Sequence, residues 1–244
     1  MNTNRRFLLK TGLGGFLALS IHSCNQSSTG SGQLEVSPNL LSRIKKRGYL
    51  LVATEDDYPP FEFLVNGQTA GYDNELLEQL RAVVPFEIRQ EVRPWQDILP
   101  GVKSGKYDVA LTAVGITDDR ATFLDFTTPL AESTIAYLKR QDDHSIATVT
   151  DLSKKVLGAQ QGGVSLSAIP DLKATLEKSG GRLGVVREYR NFTEAYQDLI
   201  NKRIDAVLHN IVSLSVLVND KPAIFALGDR VGRTSYAAWA VKKG

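Results

Sequence analysis

The sequence predicts an α/β protein of two lobes, each a small mixed, mostly parallel sheet flanked by helices, with strands crossing between them. Three observations predict it: an internal repeat, an alternation of strands and helices in each half, and strands placed to join the halves. Laid on itself with an offset of 97 residues, Glu87–Trp95 aligns with Gly184–Phe192, and Glu91, Arg93 and Asp108 recur as Glu188, Arg190 and Asp205. In each copy an alternating strand leads into a helical segment, Trp95–Ser104 or Phe192–Asn201, and then into Asp108-Val-Ala-Leu or Asp205-Ala-Val-Leu, an apolar strand. Strand-helix-strand units of this kind build parallel sheets.

The 244 residues are 42% hydrophobic and 23% charged, an ordinary globular composition with length for one large or two small domains. The formal charge of +2 includes Arg5, Arg6 and Lys10, and beyond residue 23 there are 26 Lys and Arg against 27 Asp and Glu. That balance of −1 points away from nucleic acid. Residues 1–23 read as an export signal, with a basic start, an apolar stretch from Gly12 to Ile21 and small Ser23 before Cys24. The stretch is shorter than the roughly 20 apolar residues that span a bilayer. Asn4-Arg5-Arg6-Phe7-Leu8-Leu9-Lys10 resembles the twin-arginine signal. Ile21-His22-Ser23-Cys24 resembles a lipobox whose cysteine is lipidated, the alternative being a buried thiol. The single cysteine excludes an internal disulfide and a cysteine-built metal site.

Residues 24–39 follow as anchor and tether, Asn25–Gln33 consisting of Ser, Thr, Gly, Asn and Gln only. The first lobe is expected over residues 40–133 and the second over 134–228, with 229–244 returning to the first. Apolar strands are expected at Tyr49–Thr54 and Lys155–Gln160, helices at Asn74–Ala82 and Pro170–Lys178, a crossing strand at Ala131–Lys139 and a returning strand at Thr234–Val241. Ligands of open α/β sheets sit beyond the carboxyl ends of the strands, so the loops after Thr54, Leu111, Gln160 and Leu208 form the expected site. A duplication without a ligand is the alternative.

Val52-Ala-Thr-Glu-Asp-Asp-Tyr-Pro-Pro-Phe-Glu62, Gly71-Tyr72-Asp73, Ile116-Thr-Asp-Asp-Arg120 and Leu124-Asp-Phe-Thr-Thr-Pro129 are followed by Gln161-Gly162 and Arg203-Ile-Asp-Ala206. In this order they resemble the family 3 solute-binding proteins of bacterial amino-acid ABC transporters, over Leu40–Gly244. The resemblance implies a periplasmic-binding-protein-like clamp with hinge strands, which closes on a small amino-acid-like carboxylate and hands it to a membrane permease. No cofactor, metal or catalysis is implied, and the expected particle is a monomer outside the cytosol, held to the membrane by its lipid.

Within that resemblance Arg120 grips the ligand's α-carboxylate, which a guanidinium fork matches bidentately; an ion pair with Asp118 or Asp119 is the alternative. Tyr58 matches the aromatic that packs on the ligand. Trp95 heads a helix near the same cleft, and both rings supply rigid walls, although Trp95 also reads as core. Glu55 takes the place of an acid that meets a polar or cationic side chain, or is a solvated loop carboxylate. Thr117 is a ligand contact or the cap of a helix begun by Asp118 and Asp119. Thr112, Gly162 and Gly163 complete the expected site.

The pattern departs from the family in three places. Asn210 falls where an aspartate usually pairs with the ligand's α-ammonium; an amide oxygen accepts that hydrogen bond without neutralising the charge, so either Glu55 compensates or the ligand lacks an α-ammonium. Gly162-Gly163-Val164-Ser165 lacks the hydroxyl that normally follows the first glycine, leaving backbone N–H groups or Ser165 to hold the carboxylate, and Gly115 stands where Ser or Thr is frequent. Finally, family members usually continue past Gly244 with helices that complete the first lobe; their absence is expected to uncover apolar surface, at roughly 25 cal/mol per Å².

Two other functions remain open. Relatives of the clamp include a dehydratase of cyclohexadienyl acids, which needs a cleft acid of raised pKa, with Glu55 and Glu132 as candidates. A ligand-sensing accessory lipoprotein is the other. No P-loop, Gly-x-Ser-x-Gly or His-Glu-x-x-His motif is present, and His22, His144 and His209 are far apart in sequence. His209 reads as a packing residue or as facing the cleft.

Overall fold

The computed structural model describes residues 39–244. The leader, the lipobox and Cys24 lie outside the described residues. The first lobe runs through α1 (Leu40–Arg47), β1 (Tyr49–Thr54), β2 (Asp57–Tyr58), β3 (Glu62–Val65), β4 (Gln68–Ala70), α2 (Tyr72–Val83) and β5 (Glu87–Val92). It continues with α3 (Trp95–Ser104), β6 (Val109–Gly115), α4 (Asp118–Ala121), β7 (Leu124–Phe126) and β8 (Ala131–Glu132). The second holds β9 (Ile135–Arg140), β10 (Leu157–Gln160), α5 (Ile169–Lys178), β11 (Val186–Tyr189), α6 (Phe192–Ile200), β12 (Ala206–Asn210), α7 (Ile211–Asp220) and β13 (Phe225–Val231). β14 (Tyr236–Lys242) then returns to the first sheet.

The two sheets share one topology, which is the repeat made visible. Strand order is β5-β1-β6-β14-β7 in the first and β11-β10-β12-β9-β13 in the second. In each, three parallel strands precede an antiparallel fourth, and that fourth strand is the one whose chain has just crossed from the other lobe. The repeated aspartates explain themselves here. Asp108 accepts a hydrogen bond from the Leu51 N–H (2.8 Å), and Asp205 accepts the same bond from the Val156 N–H (2.7 Å). Each carboxylate thus ties the strand that follows it to the first parallel strand of its lobe and satisfies an N–H that the ladder leaves free. The equivalence of Leu51 with Val156 makes Glu55 and Gln160 counterparts, four residues further on.

The expected crossing strand is in fact two. β8 pairs with β14 in the first sheet and β9 with β12 and β13 in the second, so Ser133 and Thr134 make the crossover. They are bonded to the returning crossover: the Ser133 N–H donates to the Ser235 carbonyl (2.8 Å) and the Ser235 hydroxyl to the Ser133 carbonyl (2.7 Å). The return also begins later than expected, since Asp229–Val231 still belong to β13.

Each sheet is covered on both faces. Ile98, Leu99 and Val102 of α3 pack with Ala110, Val114 and Leu124 on one side of the first sheet, and Ile44 and Leu77 pack with Leu50, Val52 and Leu111 on the other. The second sheet is sandwiched between Leu172 and Leu176 of α5 and a layer of Phe192, Leu199 and Leu214.

Candidate ligand-binding cleft

Parallel strands deliver their carboxyl ends to one edge of each sheet, and those two edges face each other. Glu55 follows β1, Gly115 ends β6, Gln160 ends β10 and Asn210 ends β12. Trp95 and Phe192, aligned in the repeat, are the first residues of α3 and α6 and supply opposite walls. Thr117 caps α4 by accepting from the Arg120 N–H (3.2 Å), and the Arg120 side chain turns inward, its guanidinium 5.1 Å from the Trp95 ring.

These residues enclose a deep pocket of about 20 Å³, lined by Glu55, Tyr58, Trp95, Arg120, Ser165 and His209 among others. That is room for about one water molecule, so any larger ligand has to part the lobes. Beyond it lies an outer cleft of about 1050 Å³, walled by Asp56, Asp97, Glu194, Arg93, Arg190 and Lys103 among others. The lobes touch through polar contacts: Asn210 Nδ2 donates to the Tyr58 hydroxyl (2.7 Å), Gln160 Nε2 to Glu55 Oε1 (3.2 Å) and an Arg120 NH₂ group to the Gly162 carbonyl (3.0 Å). At the rim Gln96 donates to the Arg190 carbonyl (2.7 Å) and the Thr193 hydroxyl to Asp57 (3.0 Å).

The charges in this space are unusual for their burial. Arg120 is 8% exposed and forms no ion pair among the described residues; its other NH₂ group donates to the Gly115 carbonyl (2.7 Å). Burial pulls its pKa down to about 10, which leaves it cationic at neutral pH. Burial pushes Glu55 up to about 8, with the charges of Asp57 and Asp56 adding to the rise and the Gln160 hydrogen bond opposing it. Burial also pulls His209 down to about 3, so its imidazole is neutral. His209 lies between Phe192 and Tyr58, at ring-centroid distances of 3.4 and 5.3 Å, and Nδ1 meets the Tyr196 hydroxyl at 2.9 Å. Its Nε2 and the Ser165 hydroxyl have no partner among the described residues, and both residues line the deep pocket. The pocket thus sets a desolvated cation beside two polar groups that lack a partner among the described residues.

The model of the bacterial extracellular solute-binding proteins, family 3, matches residues 50–213. The chain belongs to this family. It is 31% identical over 209 residues to the L-cystine-binding protein TcyJ of Escherichia coli (strain K12), covering 84% of this chain and 75% of that protein. A probable histidine-binding protein of Campylobacter jejuni is 28% identical over 193 residues, covering 79% and 69% of the two chains. Among solved structures, holo ArgBP from T. maritima superposes with a TM-score of 0.70 at 26% identity, over 82% of this chain and 85% of that one. The ancestral amino-acid-binding protein AncCDT-1, a precursor of cyclohexadienyl dehydratase, gives 0.72 at 27% identity, over 84% and 87%.

In this solute-binding protein the fold gathers Glu55, Tyr58, Trp95, Gly115, Arg120, Gly163 and Ser165 around the deep pocket, while Gly162 lines the outer cleft. Arg120 makes no ion pair with Asp118 or Asp119, and Trp95 serves both as core and as wall. Two expected residues stand behind the pocket. Thr112 hydrogen-bonds Glu62, and Thr117 is the helix cap. Asn210 lines neither pocket. Its Oδ1 accepts from the Ser213 N–H (2.9 Å) and caps α7, and its NH₂ turns toward Tyr58 and Ser213. The backbone donor settles which atom is oxygen. Glu132, the other candidate acid, pairs with Arg230 and lines neither pocket. Ala113, Gln160, Val164 and Phe192 complete the lining, and sequence reasoning missed them; the repeat carried the signal for Phe192, which answers Trp95, whereas Gln160 answers Glu55 only through the structural match of Leu51 with Val156.

Proposed function

We propose that this solute-binding protein captures an amino-acid carboxylate between its lobes, with Arg120 as the anchor, and presents the closed form to an ABC transporter permease. The observation that carries the reading is the buried, unpaired Arg120 guanidinium on the pocket wall, whose spare N–H groups match a carboxylate. Ser165 takes over the hydroxyl role left by Gly163, and its unpartnered Oγ supports that. The two crossovers at Ser133–Thr134 and Ser235 serve as the hinge. The relatives named for cystine, histidine and arginine support an amino-acid ligand. Export by the twin-arginine signal, a lipid on Cys24 and a monomeric state belong to the same proposal. A Cys24→Ser chain that remains in the membrane fraction would remove the anchor from it.

A thermal-shift screen of the full chain against amino acids, their 2-oxo and 2-hydroxy analogues and dicarboxylates tests the site. Ligand binding to the folded state raises the midpoint by mass action. The rise is expected with at least one amino-acid class and is lost in Arg120→Ala; a rise that survives Arg120→Ala refutes the anchor. The dehydratase reading keeps one supporting feature, the raised pKa of Glu55. Release of carbon dioxide from a cyclohexadienyl acid by the wild-type chain, absent in Glu55→Gln, would replace transport by catalysis.

A further inference from the structure

Behind the wall of the deep pocket, Glu62 of β3 and Asp73 of α2 are both wholly buried, and no cation pairs with either among the described residues. Each carboxyl has one oxygen engaged. Glu62 Oε1 meets the Thr112 hydroxyl of β6, and Asp73 Oδ1 accepts from the Trp239 indole N–H of β14 (2.9 Å). Glu62 Oε2 and Asp73 Oδ2 have no other partner among the described residues, and the two carboxyls meet each other. Two carboxylates have no hydrogen to give one another, and two buried negative charges side by side are far costlier than one. A single proton between them satisfies both oxygens and removes one charge. Burial raises the pKa of both groups; the facing carboxyl raises Glu62 further and holds Asp73 down, so the proton sits on Glu62 and is donated to Asp73. The other titratable groups acting on Glu62 and its strand partner are Glu55, beyond β1, and Tyr58 of β2; Arg120 acts on those two and bonds neither carboxyl.

The pair stands where it holds one wall of the pocket. Glu62 is the ladder partner of Tyr58 in the three-stranded flap β2-β3-β4, and Tyr58 lines the deep pocket and accepts from the Asn210 NH₂ of the other lobe (2.7 Å). The start of α2 grips the same flap: the Asp73 N–H donates to the Phe61 carbonyl (2.9 Å) and the Tyr72 N–H to the Pro60 carbonyl (3.0 Å), and a side chain on Gly71 would run into the Phe61 carbonyl. We infer that Glu62 and Asp73 share one proton and act together as positioning residues, pinning the flap to α2 so that Tyr58 stands at the pocket. The role of Tyr58 as a ligand wall rests on the carboxylate reading of the site; the shared proton does not. Loss of the proton sets like charges against each other, so the pin weakens as pH rises.

Infrared spectroscopy and hydrogen exchange on the full chain test the two halves of the inference. At neutral pH the carbonyl stretch of a buried, protonated carboxyl is expected in the wild type and is removed by Glu62→Gln; Asp73→Asn removes or displaces the same band, because the proton depends on both partners. A band that Asp73→Asn leaves unchanged overturns the sharing. Exchange of flap peptides over residues 57–70 is expected to speed up tenfold or more in Glu62→Ala, while peptides over residues 169–189 of the second lobe keep the wild-type rate. Glu62→Gln, whose NH₂ donates to Asp73 in place of the shared proton, restores slow exchange. As pH rises, flap exchange in the wild type is expected to climb relative to Glu62→Gln measured at the same pH. Unchanged flap exchange in Glu62→Ala, or the same pH course in wild type and Glu62→Gln, overturns the positioning role. Neither readout needs a ligand, so a failure of the carboxylate site in the thermal-shift screen leaves the pair standing, and a failure of the pair leaves Arg120 standing.

Discussion

Replacing Glu55 by glutamine isolates the most strongly perturbed acid in the cleft. Its carboxyl has a pKa of about 8 in the folded protein against 4.5 for the free group. Between those values the folded state holds a proton that the unfolded chain has released. The folded state therefore binds more protons, and stability falls as pH rises through that window. The slope approaches about 1.4 kcal/mol per pH unit, so a shift of this size amounts to on the order of 5 kcal/mol between pH 4.5 and 8. Opening the hinge returns Glu55 to water, and the loss is capped at the free energy of opening. Urea unfolding of wild type and Glu55→Gln across pH 5 to 8 measures the difference; Asp73, also raised by burial, is common to both proteins, whereas Glu62, raised by burial and further by the charges of Asp73 and Glu55, adds to the difference in the same sense. Wild type is expected to lose several kcal/mol relative to the variant as pH increases. Parallel stability curves would refute the reasoning, because they would mean that Glu55 is not buried as a neutral acid against Gln160.

Further outcomes follow from single contacts. Gly115→Thr introduces overpacking of about 1–3 kcal/mol against Val164, which opening of the hinge relieves; small-angle scattering should show a longer particle with normal helix content. Asn210→Asp keeps the cap on α7 and replaces the NH₂ by an anionic oxygen. Calorimetry is expected to show an α-amino acid gaining about tenfold, roughly 1.4 kcal/mol, over its 2-hydroxy analogue. Asp205→Ala strands the Val156 N–H and should cost about 1–3 kcal/mol in urea unfolding with no change in ligand preference.

Much of the molecule is legible without coordinates. The alternating and helical periods around Trp95 and Phe192 depend on local burial patterns, and β5-α3-β6 and β11-α6-β12 stand where those periods end. The flap of β2, β3 and β4 was read as loop, although Asn66-Gly67, with φ of 52° and 77°, is a turn signal for the hairpin. Helix α7 lay hidden in a run of Val, Leu and Ser, because an element apolar on several sides shows little periodicity.

By itself the sequence determined the repeat and the two sheets and, through its family resemblance, singled out Arg120, because each is written along one stretch of chain. Only the tertiary structure decided which side chains meet across the cleft. Gln160 against Glu55, Val164 against Gly115 and Asn210 against Tyr58 join residues 49 to 152 positions apart, from lobes that touch only when the hinge closes. It also decided that Asn210 turns a donor to Tyr58, since the cap of α7 claims its oxygen. Burial, hydrogen-bond satisfaction and the fit of one lobe on the other are properties of the closed fold, and no local pattern encodes them.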